Sequence, residues 1–296
     1  MESEVDCKFV SSRGLLKAAD IHSSMPISSS RKLDIDLSSI KPGSTIYICS
    51  SAIRAFQQLL PKLPHPVILI TGDADDAVPT DAFPDAKEFE KFIGNERIIH
   101  WYAQNLVIQH PKMTAIPIGL DYHTLSEKAT TWGPRKTPEE QEQELIEIRS
   151  TAGPFWEREP SYCYANFQFL MSTRYGADRL DAIKSVPPYL VYYEPEKVPR
   201  KKTWEKQSRF AFVLSPHGNG YDCHRTWEAL CLGCIPIVKS SPIDAIFKDL
   251  PVLIVQEWGV VTSDRLWRTV ADFRDRKFDY NKLELKYWVS QIYRGK

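Results

Sequence analysis

Short runs of apolar residues, separated by stretches with helical spacing, recur along the whole chain. The clearest runs span residues 45–50, 67–72, 97–102, 114–118, 162–169, 189–193, 210–214, 235–238 and 252–255. Continuous β-branched runs that alternate with helices are typical of strands buried on both faces of a parallel sheet. The pattern therefore predicts the α/β fold class, with doubly wound sheets.

A charged helix marks the predicted boundary between two lobes. Thr137, Pro138 and Glu140 provide an N-cap, a proline at the first helical position and a capping box, and the helix is expected to reach about Arg149. Residues 153–160 are then predicted to cross from the first lobe to the second. We expect two Rossmann-like lobes with a cleft between them, residues 1–155 and 156–296. The polar, serine-rich residues 1–44 are expected to form an arm over the first lobe, and the last helix to pack back on that lobe.

Composition and charge narrow the classes of function. The 296 residues are 43% apolar and 11% aromatic, enough for large cores, and 38 basic residues balance 38 acidic ones. A zero net charge offers no general attraction to nucleic acid or to an anionic membrane. No apolar run approaches the ~18 residues of a membrane span or resembles a signal peptide. We expect a cytoplasmic protein with reduced, mostly buried cysteines and no nucleic-acid partner.

Residues 210–238 carry the most informative pattern, which reads as strand, glycine-bearing loop, helix, glycine stop and strand. Ligands of open parallel sheets bind beyond the carboxyl ends of the strands, where this loop lies. Gly218 and Gly220 allow a close backbone approach, and the free amides that begin the next helix suit a pyrophosphate. Asp222 is read either as an N-cap or as a ligand contact.

The helix that follows adds donors and one carboxylate. His224 and Arg225 fall in its first turn, where negative charge is already favoured. Glu228 shares a face with both, so it can reach a ribose hydroxyl of the same nucleotide. A carboxylate in an otherwise apolar helix is costly to bury without a partner, which favours a functional role.

The pattern Arg225-x-x-Glu228-Ala229-Leu230-x-x-Gly233-Cys234-Ile235-Pro236 resembles the signature of exostosin-like glycosyltransferases and their viral and microbial relatives. The resemblance implies a GT-B fold, a nucleotide-sugar donor, inversion at the anomeric carbon and no essential metal or other cofactor. It implies donor contacts for Arg225 and Glu228, and makes Arg174, helped by Lys239, a candidate for neutralising the leaving diphosphate. Without the stem and membrane anchor of secretory-pathway members, a cytoplasmic, virus-encoded version is expected.

An inverting transfer needs a base for the acceptor hydroxyl, and the first lobe should supply it. Asp73 and Asp121 follow predicted strand ends and rank first, with His123 behind them. Asp73-Ala74-Asp75 also matches a metal-binding pattern of other glycosyltransferases, although a solvated turn is the preferred interpretation. A phosphoesterase that uses Asp73, Asp75 and Asp76 with histidines, and a non-catalytic nucleotide- or glycan-binding module, are the alternatives.

The function expected from the sequence is transfer of a sugar from a nucleoside-diphosphate donor to a hydroxyl of a glycan or glycoprotein. A UDP-sugar such as UDP-xylose is favoured, and a GDP-sugar is the other option. The predicted donor-binding residues are Arg174, Ser215, His217, Gly218, Asn219, Gly220, Asp222, His224, Arg225, Glu228 and Lys239.

Overall fold

The apolar runs form two parallel β-sheets in the structure, a computed structural model that describes residues 4–169 and 172–294. The first sheet has the order β1-β2-β3-β4 and consists of β1 (Thr45–Cys49), β2 (Val67–Gly72), β3 (Ile98–Ala103) and β4 (Met113–Ala115). The second has the order β6-β5-β7-β8-β9 and consists of β5 (Glu159–Ala165), β6 (Val191–Tyr193), β7 (Phe210–Leu214), β8 (Ile235–Lys239) and β9 (Leu253–Val255). All neighbouring strands in both sheets are parallel.

Ten α-helices accompany these strands over the described part of the chain. They are α1 (Ser12–Ala18), α2 (Ile53–Leu59), α3 (Ala86–Ile93), α4 (His123–Glu127), α5 (Pro138–Thr151), α6 (Gly176–Ser185), α7 (Arg200–Gln207), α8 (His224–Cys231), α9 (Ser263–Arg274) and α10 (Leu285–Arg294). The predicted capping box at Thr137 and Glu140 begins α5. None of the described helices is both long and apolar enough to traverse a bilayer. The predicted fold class, α/β with two Rossmann-like lobes, is confirmed.

The strand order of the second lobe determines where a ligand can bind. From β5 the chain moves to one side of the sheet, to β6, and from β7 it moves to the other side, to β8 and β9. The carboxyl ends of β5 and β7 therefore flank a topological switch point, where the loops that leave the sheet diverge and open a crevice. The glycine-bearing loop after β7 lies at this crevice.

Three apolar clusters hold the fold together. One lies on the first sheet and includes Phe56 and Trp101, and another lies on the second sheet and includes Phe212 and Trp258. The third cluster spans both lobes and places Tyr122 of the first lobe together with Trp227 of α8. Burial of large side chains stabilises folding by ~1.5–3 kcal/mol each, so the shared cluster ties α8 to the first lobe.

Both ends of the described chain pack against the first lobe. Val10, Leu15 and Leu16 are buried in the cluster that the lobes share. Helix α10 contacts α1, and the hydroxyls of Tyr102 and Tyr293 donate to the carbonyls of Gln291 (3.0 Å) and Ala18 (2.9 Å). The N-terminal segment and the last helix therefore form one layer on that lobe.

A glycine turn after β4 brings the first lobe against α8. Gly119 has a φ of +65°, and a Cβ at this position would lie 2.1 Å from the carbonyl oxygen of Val10. The Gly119 carbonyl also accepts a hydrogen bond from His224 Nδ1 at 2.8 Å. The turn therefore requires glycine and determines where Asp121, two residues later, enters the cleft.

We expect Gly119→Ala to lower the free energy of unfolding by about 3 kcal/mol, because it combines a left-handed backbone with a steric clash. Gly43→Ala is the matched control, since Gly43 has a φ of +75° but no atom within 4 Å of the added Cβ. The control should cost only about 1 kcal/mol. Urea denaturation followed by tryptophan fluorescence measures both, and equal losses would contradict the role of the Val10 contact.

Candidate active site

Two adjoining chambers lie in the cleft between the lobes. The first, about 380 Å³, is lined by Asp73, Asp75 and His123 from the first lobe and by Gly218 and Asn219 from the second. The second, about 300 Å³, is lined by Trp132, Asn166, Phe167, Arg200, Thr203 and Glu228. Both chambers are lined by Asp121, Thr124, Arg179, His224 and Arg225. The two chambers are therefore parts of one site, with the start of α8 at their junction.

Asp222 joins the two lobes beside the point where the two chambers meet. Its buried carboxylate accepts hydrogen bonds from the backbone N–H of Ile118 (2.7 Å) and from Trp227 Nε1 (2.8 Å). Its own N–H donates to Asn105 Oδ1 at 2.9 Å. Burial raises the pKa of Asp222 to about 6. Asp222 thus fixes the α8 terminus against the first lobe, and the N-cap position belongs to Cys223.

The first turn of α8 offers free backbone donors to the cleft. No side chain caps it, and Cys223, His224 and Arg225 line the first chamber. The N–H groups of a first helical turn have no partner within the helix and carry a partial positive charge. An uncapped helix start that faces a cavity is suited to an anion.

The guanidinium groups of buried Arg179 and half-buried Arg225 reinforce this positive end. Arg179 donates to the carbonyls of His217 (2.9 Å) and Gln168 (2.8 Å), and Arg225 donates weakly to Ser215 Oγ and to the Pro216 carbonyl. Both lie near the ring of Phe167, at 5.8 and 5.4 Å from its centroid.

Neither guanidinium forms a salt bridge with any residue in the described ranges, and all these acceptors are neutral. Asp178 attracts Arg179, and Glu228 attracts Arg225, only from a longer distance. Burial and the charge of Arg225 lower the pKa of Arg179 to about 10, which leaves it protonated at neutral pH. Burial also lowers the pKa of Arg225. Two largely desolvated positive charges that lack a salt-bridge partner are costly and create a strong site for a dianion.

Arg179 was not among the residues predicted from the sequence. It lies inside α6, where Asp178, Asp181 and Lys184 make one more charged residue look like part of a solvated helix face. Its side chain turns inward instead, and only the packing of α6 under the loop after β7 reveals this. The sequence contains no local signal for it.

Glu228 occupies the wall of the second chamber, one turn along α8 from Arg225. Its side chain is 13% exposed, and its nearest cation is Arg200, whose Nε lies 3.9 Å from Oε1. This distance leaves the carboxylate without a tight ion pair. A carboxylate next to aromatic Trp132 and Phe167 can accept hydrogen bonds from the hydroxyls of a nucleoside sugar.

The three aspartates of the acidic loop after β2 each have their own side-chain partners. Asp73 pairs with Arg13 Nε at 3.0 Å and accepts from Ser28 Oγ at 2.8 Å. Asp75 accepts from Asn219 Nδ2 at 2.9 Å, whereas Asp76 accepts from Ser51 Oγ. In residues 4–169 and 172–294, no group of three or more His, Cys, Asp or Glu side chains is arranged to hold a metal ion. Asp73 and Asp75 nevertheless both line the first chamber.

His123 and Asp121 form a pair at the other side of the first chamber. His123 Nδ1 lies 3.2 Å from Asp121 Oδ1, and Asp121 Oδ2 accepts from Arg200 Nη2 at 2.7 Å. Burial alone would raise the pKa of Asp121, but Arg200, with smaller effects of His224 and His123, holds it well below its usual range. Burial lowers the pKa of His123, so its imidazole is neutral at pH 7.

Five predicted donor contacts line neither chamber, namely Arg174, Ser215, His217, Gly220 and Lys239. Arg174 pairs with both carboxylate oxygens of Asp81 at 2.6 and 2.8 Å. Lys239 pairs with Asp181 at 2.9 Å, and the backbone N–H of His217 donates to Asp178 at 2.9 Å. Ser215 is buried under the site, where its hydroxyl bonds to Thr226. Gly220 packs between the lobes, so that of the predicted loop only Gly218 and Asn219 reach the first chamber.

Comparisons with known proteins do not identify a family for this chain. No protein-family model matches the chain, and no curated protein matches it. One solved structure from E. coli, described as trehalose-6-phosphate bound with UDP-2-fluoro glucose, aligns with a TM-score of 0.40 and 9% sequence identity. The alignment covers 88% of this chain and 72% of that chain.

We expect Arg179→Gln and Arg225→Gln each to weaken binding of inorganic pyrophosphate or UDP by about 10- to 100-fold, since each removes charge-assisted hydrogen bonds. Arg174→Gln is the control, because its guanidinium is paired with Asp81 outside both chambers and its loss should change Kd less than about twofold. Isothermal titration calorimetry at fixed ionic strength gives all three constants. A loss confined to Arg174→Gln would show that the anion binds elsewhere.

Proposed function

We propose that this protein is a glycosyltransferase that transfers a sugar from a nucleoside-diphosphate sugar to an acceptor hydroxyl. The observation that carries the proposal is the meeting of two guanidinium groups, Arg179 and Arg225, at the uncapped start of α8, where neither has a salt-bridge partner among the described residues. They lie at the junction of two chambers between Rossmann-like lobes. A diphosphate at this junction places its nucleoside in one chamber and its sugar in the other.

The second chamber suits the nucleoside. Glu228 accepts hydrogen bonds from the ribose hydroxyls, and Trp132 and Phe167 offer apolar surface beside them. The donor's sugar then lies in the first chamber, beside the side chains of the first lobe. This assignment puts the bond to be broken, between the anomeric carbon and the diphosphate oxygen, at the start of α8.

The leaving group is stabilised by fixed positive charge. As the bond from the anomeric carbon breaks, negative charge develops on the nucleoside diphosphate, next to Arg179, Arg225 and the first-turn N–H groups of α8. Preorganised donors of this kind lower the barrier because they need no reorganisation during the reaction. The proposal therefore includes transfer that is insensitive to a chelator.

His123 is the best placed base in the first lobe. Asp73 is engaged by Arg13 and Ser28, and Asp121 is too weak a base because Arg200 depresses its pKa. His123 is neutral at pH 7, and the carboxylate near Nδ1 favours the tautomer that keeps the Nε2 lone pair free. In the proposed reaction it takes the acceptor hydroxyl's proton as the oxygen attacks the anomeric carbon, with inversion.

The finer details are proposals from the sequence. A UDP-sugar such as UDP-xylose is the favoured donor, with a GDP-sugar as the other option, and a glycan is the favoured acceptor. A cytoplasmic location and a viral source stay predictions. A non-catalytic binding module is the second candidate, which a well-placed neutral imidazole beside a carboxylate disfavours.

We expect His123→Asn to lower kcat by about 10²- to 10⁴-fold while leaving the donor Kd within about threefold, because the base acts on the acceptor. Glu228→Gln should instead raise the donor Kd about tenfold. Since burial lowers the pKa of His123 from 6.5, the wild-type protein should lose kcat/KM only as the pH falls below about 6.5. Product and nucleoside diphosphate released from a panel of UDP- and GDP-sugars provide the measurement. Tight donor binding without release of either would favour the binding module.

A further inference from the structure

A row of four ionisable side chains crosses the cleft from the second chamber to the proposed base. Glu228 and Arg200 come from α8 and α7 of the second lobe, and Asp121 and His123 come from the first lobe. The contacts along the row are 3.9 Å from Glu228 to Arg200, 2.7 Å from Arg200 to Asp121 and 3.2 Å from Asp121 to His123. Arg200 stands at the centre and carries the row's single permanent positive charge.

The first lobe holds the guanidinium of Arg200 in one orientation. Its Nη1 donates to Gln141 Oε1 at 2.9 Å and to the backbone carbonyl of Asp121, while Nη2 donates to the Asp121 carboxylate. The backbone N–H of Arg200 donates to the Trp132 carbonyl at 2.7 Å. The Asp121 side of the guanidinium is thus fully engaged, whereas its Nε edge faces Glu228 and the second chamber.

The next contact of the row is close but not aligned. His123 Nδ1 lies 3.2 Å from Asp121 Oδ1, yet the two atoms are not aligned for a hydrogen bond. The same Oδ1 accepts the backbone N–H of Thr124 at 3.0 Å. The rotation of the Asp121 carboxylate therefore decides whether His123 Nδ1 can donate a hydrogen bond to Oδ1. Arg200 holds the other oxygen, Oδ2, of that carboxylate.

Resting on the proposed function, we infer that Arg200 is a positioning residue of the second lobe. From the wall of the second chamber it orients Asp121, and through Asp121 it orients His123. The planar guanidinium supplies two separate effects. Its fork fixes the carboxylate, and its charge opposes the negative charge that Asp121 exerts on the imidazole.

The charge effect has a definite sign. Besides Asp121, the charged or titratable groups that face His123 are His224 of α8, Asp73 after β2 and Arg13 of α1. Arg13 in turn lies near Glu127 of α4. These groups stay in place when Arg200 is replaced. Loss of the Arg200 charge leaves Asp121 less opposed, favours the imidazolium and raises the pKa of His123. Loss of the Asp121 charge has the opposite effect.

We expect Arg200→Gln to raise the midpoint pH of the acidic limb of kcat/KM by about 0.5–1 pH unit. Asp121→Asn should lower the same midpoint by a similar amount. The double variant should lie close to the wild-type limb, although its kcat stays low. Arg200→Lys keeps the charge but not the fork, so its limb should stay in place while kcat falls about tenfold. Lys202→Gln, an exposed substitution on the same helix, should change neither quantity.

The imidazole titration of His123, followed by NMR in the same variants, separates this inference from the proposed function. Opposite shifts for Arg200→Gln and Asp121→Asn support the inference even if no donor is turned over, an outcome that would overturn the proposed function alone. The inference would be overturned if the variants keep the wild-type acidic limb of kcat/KM and the wild-type titration of His123 while thermal melting shows an intact fold. If Arg200→Gln does not fold, Arg200→Lys decides: an unmoved acidic limb with kcat lowered about tenfold supports the inference, and an unchanged kcat overturns it.

Discussion

The buried carboxylate of Asp222 accepts a hydrogen bond from each lobe, and the rest of the site depends on this junction. Its bond to Ile118 holds the start of α8 against the first lobe, and its bond to Trp227 holds the same helix in its own lobe. Gly220 belongs to the junction, because a Cβ there would lie 2.9 Å from Asn105 Nδ2 and 3.0 Å from the Asp75 carbonyl. The two chambers meet at α8 because the lobes are joined at its first turn.

In the first chamber, the two lobes contribute opposite charge. The second lobe supplies Arg179 and Arg225, whose hydrogen-bond acceptors are neutral, whereas the first lobe supplies three carboxylates and an imidazole, those of Asp73, Asp75, Asp121 and His123. Unpaired buried charge lowers the stability of the free protein, and an anion that binds between these cations offsets that cost. The same two charges therefore lower the stability of the ligand-free protein and favour binding of a ligand that carries two negative charges.

Arg200 differs from Arg179 and Arg225 because its positive charge is paired with a carboxylate of the first lobe. It belongs to the second lobe, but its side chain makes its strongest contacts with Asp121 and Gln141 of the first. The ion pair makes Asp121 a poor proton acceptor and leaves His123, ranked below both aspartates from the sequence, as the group suited to that task. Proton affinity at this site is therefore decided by a contact between the lobes.

The sequence by itself determined the alternation of strands and helices, the capping box of α5 and the strand, loop and helix that contain Gly218, Arg225 and Glu228, because hydrophobic periodicity and capping depend on neighbours along the chain. Only the tertiary structure decided which charges are paired. It assigned Arg174 to Asp81 and Lys239 to Asp181, and it turned Arg179 inward. Ion pairs between residues 50 to 100 positions apart leave no periodic trace in a sequence, since they depend on how separate elements pack.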